Sequence, residues 1–185
     1  MVNRPDGIIP IDSHTARFVA SLLSPEHARE VWDLSGLSPE DAVSASLAVS
    51  VEAFALLCPV TSDPLFLMGV EASGKIAGGA LVWMLGTNRT SVFPRRMLRA
   101  VKWGLDRAFA VSGADRIEQF IPSWYDDGLR FVEHLGFELL PMTLRGRSGS
   151  SIWSAVLCRE RWEELKDVSS GRRGGFRGKE TAWEG

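Results

Sequence analysis

Apolar residues recur at helical spacing through the first third of the chain. From Ser13 onward they fall on one side of a helix, at Phe18, Val19, Leu22 and Leu23. Two later segments, Ser24-Pro25-Glu26 and Ser38-Pro39-Glu40, each combine a serine, a proline and an acidic residue. Serine caps a helix N-terminus, proline suits its first position and acids favour its first turn. Each segment therefore predicts a helix start.

The helices after these two starts differ in predicted length. The first is expected to end near Gly36. The second is predicted to run as far as Pro59, with a buried stripe at Val43, Leu47, Val51, Phe54 and Cys58. Residues 1–12, before the first helix, predict either a lead-in or a short first strand. The N-terminal third is therefore expected to be helical.

Two apolar segments then predict strands. They are Leu65 to Ala72 and Gly79 to Gly86, separated by the turn sequence Ser73-Gly74-Lys75, so an antiparallel hairpin is expected. The second segment is apolar without interruption, which is typical of a strand buried on both faces. A polar turn follows, and Pro94 begins a basic helix whose apolar face carries Leu98, Val101, Leu105, Ala108 and Phe109.

The last third predicts three more strands and a helix. Arg116 to Ile121 reads as a strand, and the helix before it allows it to lie parallel to Gly79–Gly86. Pro122 introduces a helix that runs to Leu135, with Gly136 as its C-cap. A final hairpin is predicted from two further segments, Phe137 to Leu144 and Ser151 to Cys158, with Pro141 at an edge or a bulge. The fold class is α/β (α+β): a mixed, mainly antiparallel sheet flanked by helices.

Composition favours one globular domain. The 185 residues are 45% hydrophobic and 24% charged, and residues 1–168 are expected to form the domain. Residues 169–185, rich in Gly, Ser and Arg, predict a flexible basic tail or, alternatively, an arm that touches a partner. A net charge of −2 gives no reason to expect a surface that binds nucleic acid or membranes.

The remaining composition points to the cytoplasm. No signal peptide is evident, and no apolar run approaches the length needed to span a bilayer. Cys58 and Cys158 lie in apolar contexts and are expected to be small buried hydrophobes in a reducing compartment. The three histidines have no metal-ligand spacing, so no metal site is predicted.

One segment carries a family resemblance. Gly128 to Phe137, Gly-Leu-Arg-Phe-Val-Glu-His-Leu-Gly-Phe, resembles the late helix of GNAT-fold N-acetyltransferases, which ends in Leu-Gly-Phe and runs into a strand. Landmarks along residues 14–157 resemble more closely the GNAT-like proteins of phages and prophages, some related to internal virion proteins of short-tailed phages. These landmarks are His14, Leu37 to Ala42, Phe66 to Val70 and Trp83 to Thr87.

The resemblance implies an acetyl-CoA site at the strand, turn and helix start. The candidate cofactor-binding residues are Met84, Leu85, Gly86, Thr87, Arg95 and Arg96. In GNAT enzymes a glycine-containing turn lets backbone N–H groups approach the pyrophosphate, but Asn88 to Arg96 contains no glycine. The slot is therefore expected to be degenerate, or to bind acetyl-CoA weakly through Arg95 and Arg96.

The resemblance also implies a general acid. Many GNAT enzymes use a tyrosine four residues before the glycine of Leu-Gly-Phe, and Val132 stands there instead. Tyr125 is the candidate substitute, unless it only packs or hydrogen-bonds at the sheet edge. Glu71 and Glu118 are either general bases or exposed strand carboxylates.

Three functions remain open. The favoured one is a phage or prophage protein with a GNAT fold, degenerate in catalysis, that acts in virion structure or assembly and lies in the host cytoplasm or the virion. A second is an acetyl-CoA-dependent N-acyltransferase for an amine of a small molecule or protein. A third is a nucleic-acid-binding accessory protein that uses Arg89, Arg95, Arg96, Arg99 and the tail.

Overall fold

The computed structural model describes residues 4–71 and 79–169. The predicted turn at 73–75 and the tail from residue 170 lie outside the described residues. The helices are α1 (Ser13–Ser21), α2 (Pro25–Ser35), α3 (Pro39–Val49), α4 (Pro94–Ser112), α5 (Asp126–His134) and α6 (Arg159–Ser169). The strands are β1 (Ile8–Pro10), β2 (Glu52–Leu57), β3 (Pro64–Glu71), β4 (Gly79–Gly86), β5 (Arg116–Pro122), β6 (Glu138–Arg145) and β7 (Ser151–Cys158). A short 3-10 helix covers Thr90–Val92.

The strands form one seven-stranded sheet in the order β1-β2-β3-β4-β5-β7-β6. Every neighbouring pair is antiparallel except β4 and β5, which are parallel. This confirms the predicted mixed, mainly antiparallel sheet and the β3–β4 hairpin, and β4 is the middle strand of the seven. Pro141 lies in the edge strand β6, where the pairing register shifts after it.

The two central parallel strands stay paired over only three residues. Residues 79–81 of β4 pair with residues 116–118 of β5, whereas β4 pairs with β3 as far as Gly86. Beyond Leu81 the two strands therefore separate and leave a gap in the middle of the sheet.

Each face of the sheet is covered by its own set of helices. Alternate residues of β4 face opposite sides, so Val82 joins the core under α4, α5 and α6, and Leu85 joins the core under α1, α2 and α3. The predicted apolar face of α4 is confirmed, because Val101, Leu105 and Phe109 are buried.

Both predicted serine caps are present. The Ser24 hydroxyl accepts a hydrogen bond from the His27 N–H, and the Ser38 hydroxyl accepts one from the Asp41 N–H. Gly36 closes α2 in the left-handed conformation at φ +73°, which glycine adopts without steric cost.

One predicted helix is wrong in its second half. α3 ends at Val49, and residues 52–57 form strand β2 instead of continuing to Pro59. Ser50 ends the helix in an extended conformation, with its hydroxyl bonded to the Ser46 carbonyl. The following segment pairs with β3 along its whole length and with β1 at residues 54–56, and this non-local pairing outweighs the helical spacing of its apolar residues.

Two further elements complete the architecture. The N-terminal segment forms the short strand β1, one of the two predicted alternatives. No helix was expected at α6, which packs on β7 and buries the Trp162 side chain. The Trp162 indole donates to Asp106 of α4 at 2.8 Å, so α6 is joined to the helix layer by a polar contact as well as by packing.

Candidate active site

A cavity of about 350 Å³ opens where β4 and β5 separate. We call it the main cavity. Its walls come from β4, the 3-10 segment, β5 and the facing parts of α2, α4 and α5. They include Ser24, Glu26, His27, Glu30, Met84, Gly86, Thr87, Met97, Gln119, Tyr125, Asp127 and Val132. The site therefore combines a break in the sheet with side chains from both helix layers.

A smaller cavity of about 150 Å³ lies beside it, under α2 and α3. We call it the side cavity. Glu30, Met84 and Gln119 line both cavities. These three side chains therefore form the boundary at which a molecule in one cavity meets a molecule in the other.

Glu30 is a buried carboxyl group at this boundary. It lies in α2 and is 5% exposed, and burial raises its pKa to about 8. No side chain or N–H group of the described residues donates a hydrogen bond to its carboxyl oxygens. A buried carboxyl group without a partner is costly, so its position at two cavities suggests that it meets a ligand.

A polar chain runs from α2 to the start of α5. The hydroxyl of Ser24 lies 2.9 Å from Nδ1 of His27, and Nε2 of the same ring lies 3.4 Å from the hydroxyl of Tyr125. Burial lowers the pKa of His27 to about 4, so the ring is neutral near pH 7. A neutral imidazole donates from one nitrogen and accepts at the other, which allows it to pass a proton between the two hydroxyls.

Tyr125 occupies the N-cap position of α5, at the end of β5. Burial raises the pKa of its phenol, and the negative charge of Glu30 raises it further. The hydroxyl therefore stays protonated and is able to donate a hydrogen bond. Its ring covers Gly128, where an added Cβ would meet the ring carbons at 2.7 Å. A glycine at 128 is thus needed for the tyrosine to lie where it does.

Asp33 holds α2 over the gap. Its carboxylate accepts hydrogen bonds from the Trp124 indole at 2.8 Å, the Ser148 N–H at 2.6 Å and the Ser150 hydroxyl at 2.5 Å. Burial raises the pKa of Asp33, but these hydrogen bonds outweigh that effect and lower it to about 2. The contact joins α2 to the β5–α5 junction and to the β6–β7 turn.

The predicted cofactor-binding residues separate into two groups. Met84, Gly86 and Thr87 line the main cavity, whereas Leu85 is buried in the core on the face of α1–α3. Arg95 and Arg96 lie outside the cavity wall. Arg95 is exposed, and the Arg96 guanidinium donates to the Asp6 carbonyl at 2.5 Å. The structure thus brings three of the six together.

The other predicted site residues also divide between the cavity wall and more distant parts of the fold. Glu71 and Glu118 line neither cavity, and Glu118 accepts a hydrogen bond from Ser154. Val132 does line the main cavity and is buried there. Of the arginines considered for nucleic acid, Arg89 forms an ion pair with Asp63 at 2.7 Å.

Sequence reasoning missed Glu30 and His27, the two titratable α2 residues nearest Tyr125. The sequence carried little signal for Glu30: its neighbours three and four positions away on the helix are Glu26, His27, Asp33 and Leu34, only one of which is apolar. Glutamate is rarely buried without a partner, so its burial was not expected from the residue type.

Neither a metal centre nor a membrane span is found in the described ranges 4–71 and 79–169. No three His, Cys, Asp or Glu residues there are grouped to hold a metal ion. No helix in that part of the chain is both long and apolar enough to cross a bilayer.

Comparison with known proteins leads to the same fold. No family model and no curated protein matches the sequence. Among solved structures, a protein of T. thermophilus with a provisional acetyltransferase assignment has a TM-score of 0.67 at 18% identity, over 94% of this chain and 98% of its own. The aminoglycoside acetyltransferase AAC(6')-Ib, solved with coenzyme A, has a TM-score of 0.62 at 15% identity, over 86% and 98% of the two chains.

A third similar structure carries the family name. An acetyltransferase of the GNAT family from Bacillus anthracis has a TM-score of 0.63 at 9% identity, over 86% of this chain and 99% of its own. At these identities the likeness concerns the fold. This chain has the GNAT fold of known acetyltransferases.

Proposed function

We propose that this protein is an acyltransferase that transfers the acetyl group of acetyl-CoA to an amine. The proposal rests on two side chains that line the same cavity in the gap of the sheet, the carboxyl group of Glu30 and the phenol of Tyr125. Acetyl transfer to an amine requires a group that accepts the proton of the amine and a group that supports the leaving thiolate. The two side chains are of the right types for these two roles.

The gap itself suits the pantetheine arm of acetyl-CoA, which carries two amide groups. The N–H of Thr87 donates to the Leu65 carbonyl of β3 at 2.9 Å. In an antiparallel ladder such groups alternate, so the backbone groups of Val82 and Met84 point toward the gap. β5 does not pair with them there, and an amide-bearing chain can bond to this free edge as an added strand would.

The proposed reaction divides the protons between two residues. A cationic amine favours the ionised form of Glu30, whose pKa is raised to about 8 in its absence, and releases one proton to solvent before it reacts. As the nitrogen of the neutral amine bonds to the acetyl carbon, the C–S bond breaks, the proton lost by the nitrogen passes to Glu30, and the thiolate takes a proton from Tyr125. Transfer of a proton from Glu30 to Tyr125 then restores both groups. Because the charge of Glu30 helps to keep the pKa of Tyr125 high, protonation of Glu30 removes that charge and makes Tyr125 a better acid. Each proton movement thus favours the other.

The phosphate end of acetyl-CoA receives less support from this chain. Pro94 has no N–H, and the N–H of Arg96 donates to the Phe93 carbonyl at 3.1 Å, so these two positions offer a phosphate no free donor. With the Arg96 side chain bound to Asp6, Arg95 is the cation of the pair that remains in solvent. Weak acetyl-CoA binding therefore remains our expectation.

The test is release of the CoA thiol from acetyl-CoA in the presence of a mixed set of primary amines. We expect amine-dependent release by the wild type and a fall of about 10²-fold or more in Glu30→Gln. Glu40→Gln, an exposed glutamate of α3, is the matched control and should keep the wild-type rate. If the wild type neither releases thiol with any amine nor binds acetyl-CoA, the proposal is rejected.

The glycine-free turn also supports a second function. A protein with this fold but a poor phosphate slot could act without catalysis, in the structure or assembly of a phage particle, as the sequence landmarks suggest. No phage protein is among the similar structures described above, and the virion role rests on the sequence resemblance alone. Finding the chain in purified particles, together with no acetyl-CoA binding, would favour this function over the acyltransferase.

A further inference from the structure

The side cavity restricts what the amine can be. We infer that the acceptor is a compact apolar amine, whose nitrogen lies at Glu30 and whose apolar group fills the side cavity. The inference rests on the proposed function, because it assumes that acetyl-CoA occupies the main cavity. It concerns a different cavity, however, which shares only Glu30, Met84 and Gln119 with the cavity that would hold acetyl-CoA.

The lining of the side cavity is mostly apolar. Apart from Glu30 it consists of Val31, Leu34, Ser35, Ala42, Ser46, Leu81, Val82, Trp83, Met84, Leu85, Gln119 and Phe120. Among the described residues, Glu30 is thus the one charged group in this wall. The chamber offers one carboxyl group, three uncharged polar side chains (Ser35, Ser46 and Gln119) and otherwise hydrocarbon.

The single charged group in this wall argues against a polycation as the acceptor. A second ammonium group beside the first would have to enter the apolar chamber, where a buried charge without a partner is strongly disfavoured. Two further acidic residues, Glu26 and Asp127, line the main cavity, which acetyl-CoA would fill. An aminoglycoside, the substrate class named for one similar structure, would therefore find a single carboxyl group on the acceptor side.

The position of Glu30 suits a single ammonium group. A cationic amine at the boundary would ionise this carboxyl group and pair with it, which removes the cost of leaving the carboxyl group buried and unpartnered. The apolar group then extends along Leu81 and Trp83 of β4 toward α3. About 150 Å³ accommodates a phenyl ring or a short alkyl chain.

The mouth of the side cavity is formed on α2. Leu34 lines the cavity and is 40% exposed, so it lies between the chamber and solvent. A carboxylate at this position would be tolerated by the fold because solvent reaches it. It would nevertheless place a charge beside the apolar group of the acceptor.

The experiment compares acceptors by their KM in the acetyl-transfer assay. The acceptors are butylamine, hexylamine, phenethylamine, spermidine and kanamycin. We expect a lower KM for the three apolar amines than for the two polycations, falling about fourfold for each added buried methylene until the chamber is full. Calorimetric titration of each of the five amines into protein saturated with CoA should give the same order of affinities without turnover.

Variants then locate the binding site. Leu34→Asp should raise the KM for phenethylamine about tenfold or more and leave kcat nearly unchanged. Leu22→Asp is the matched control, since Leu22 is also 40% exposed but lines neither cavity. Ser46→Leu, which narrows the chamber from α3, should exclude phenethylamine and retain butylamine.

The outcomes separate the two proposals. Preference for spermidine or kanamycin, or an unchanged KM for phenethylamine in both Leu34→Asp and Ser46→Leu, would overturn the inference while acetyl transfer stands. Absence of transfer to every amine, together with absence of acetyl-CoA binding, would reject the proposed function and the inference with it.

Discussion

The Trp124 indole donates a hydrogen bond to the Asp33 carboxylate at 2.8 Å, although the two residues are 91 positions apart in the chain. The same carboxylate also binds two serines of the β6–β7 turn. This side chain helps to hold α2 across the gap in the sheet, together with the contact of His27 with Tyr125, and Glu30 lies on the same helix at the cavity. The site thus depends on a contact that takes no part in the proposed chemistry.

We predict that Asp33→Asn destabilises the protein by about 2 kcal/mol above pH 4. The substitution removes the charge that three donors share, and hydrogen bonds to charged groups are each worth about 1.5–3 kcal/mol. Urea unfolding of the variant and the wild type measures the difference. Asp115→Asn, an exposed aspartate, is the control and should unfold like the wild type.

The stability lost in Asp33→Asn should decrease as the pH falls. The pKa of Asp33 is lowered to about 2 in the folded protein, so its contribution is present above the unfolded value of about 4 and is lost as the pH falls toward 2. The stabilities of the two proteins should therefore converge near pH 2. A difference that stayed constant from pH 7 to pH 2 would show that the carboxylate is not the stabilising group.

The buried carboxyl group of Glu30 should make the stability of the protein depend on pH in the opposite direction. Its pKa is raised to about 8, so between about pH 4.5 and pH 8 the folded state holds a proton that the unfolded state has lost. Wild-type stability should decrease across this range, by up to a few kcal/mol at about 1.4 kcal/mol per pKa unit. Glu30→Gln removes this titration, so its stability relative to the wild type should increase from pH 5 to pH 8.5 in urea unfolding. Parallel curves for the two proteins would contradict the raised pKa.

Tyr125→Phe should slow acetyl transfer by about 10²-fold or more while leaving acetyl-CoA affinity nearly unchanged. The ring stays packed over Gly128 but the proton donor is gone. Steady-state rates and calorimetric affinities for the two proteins provide the comparison. A variant that kept the full rate would remove Tyr125 from the mechanism and leave another donor, or water, to protonate the thiolate.

Acetyl-CoA should bind with a dissociation constant in the high-micromolar range, worth less than about 6 kcal/mol. Arg95→Ala should weaken binding by up to about fivefold at physiological salt, because an exposed charge contributes about 0.2–1 kcal/mol. Calorimetry at two salt concentrations tests both statements, with the exposed Arg161→Ala of α6 as the control. Low-micromolar binding by the wild type would mean that the glycine-free turn holds the pyrophosphate well.

Local features of the fold could be predicted from the sequence. The caps at Ser24 and Ser38 and the apolar face of α4 depend on residues within a few positions of one another, and the β3–β4 hairpin depends on two strands that are neighbours in the chain. Interactions at this range are nearly the same in the isolated segment and in the folded protein. Their patterns can therefore be recognised before any tertiary contact is known.

Tertiary structure decided the rest. Residues 52–57 have the apolar spacing of a helix, but pairing with β1 and β3 makes them a strand. The gap between β4 and β5 arises from a parallel pairing that stops after three residues, and no local signal marks where it stops. Glu30 and Tyr125 line the same cavity because α2, tied by Asp33 to distant parts of the chain, lies over that gap. Such pairings bring together residues that are far apart in sequence, so the site could be found only in the folded molecule.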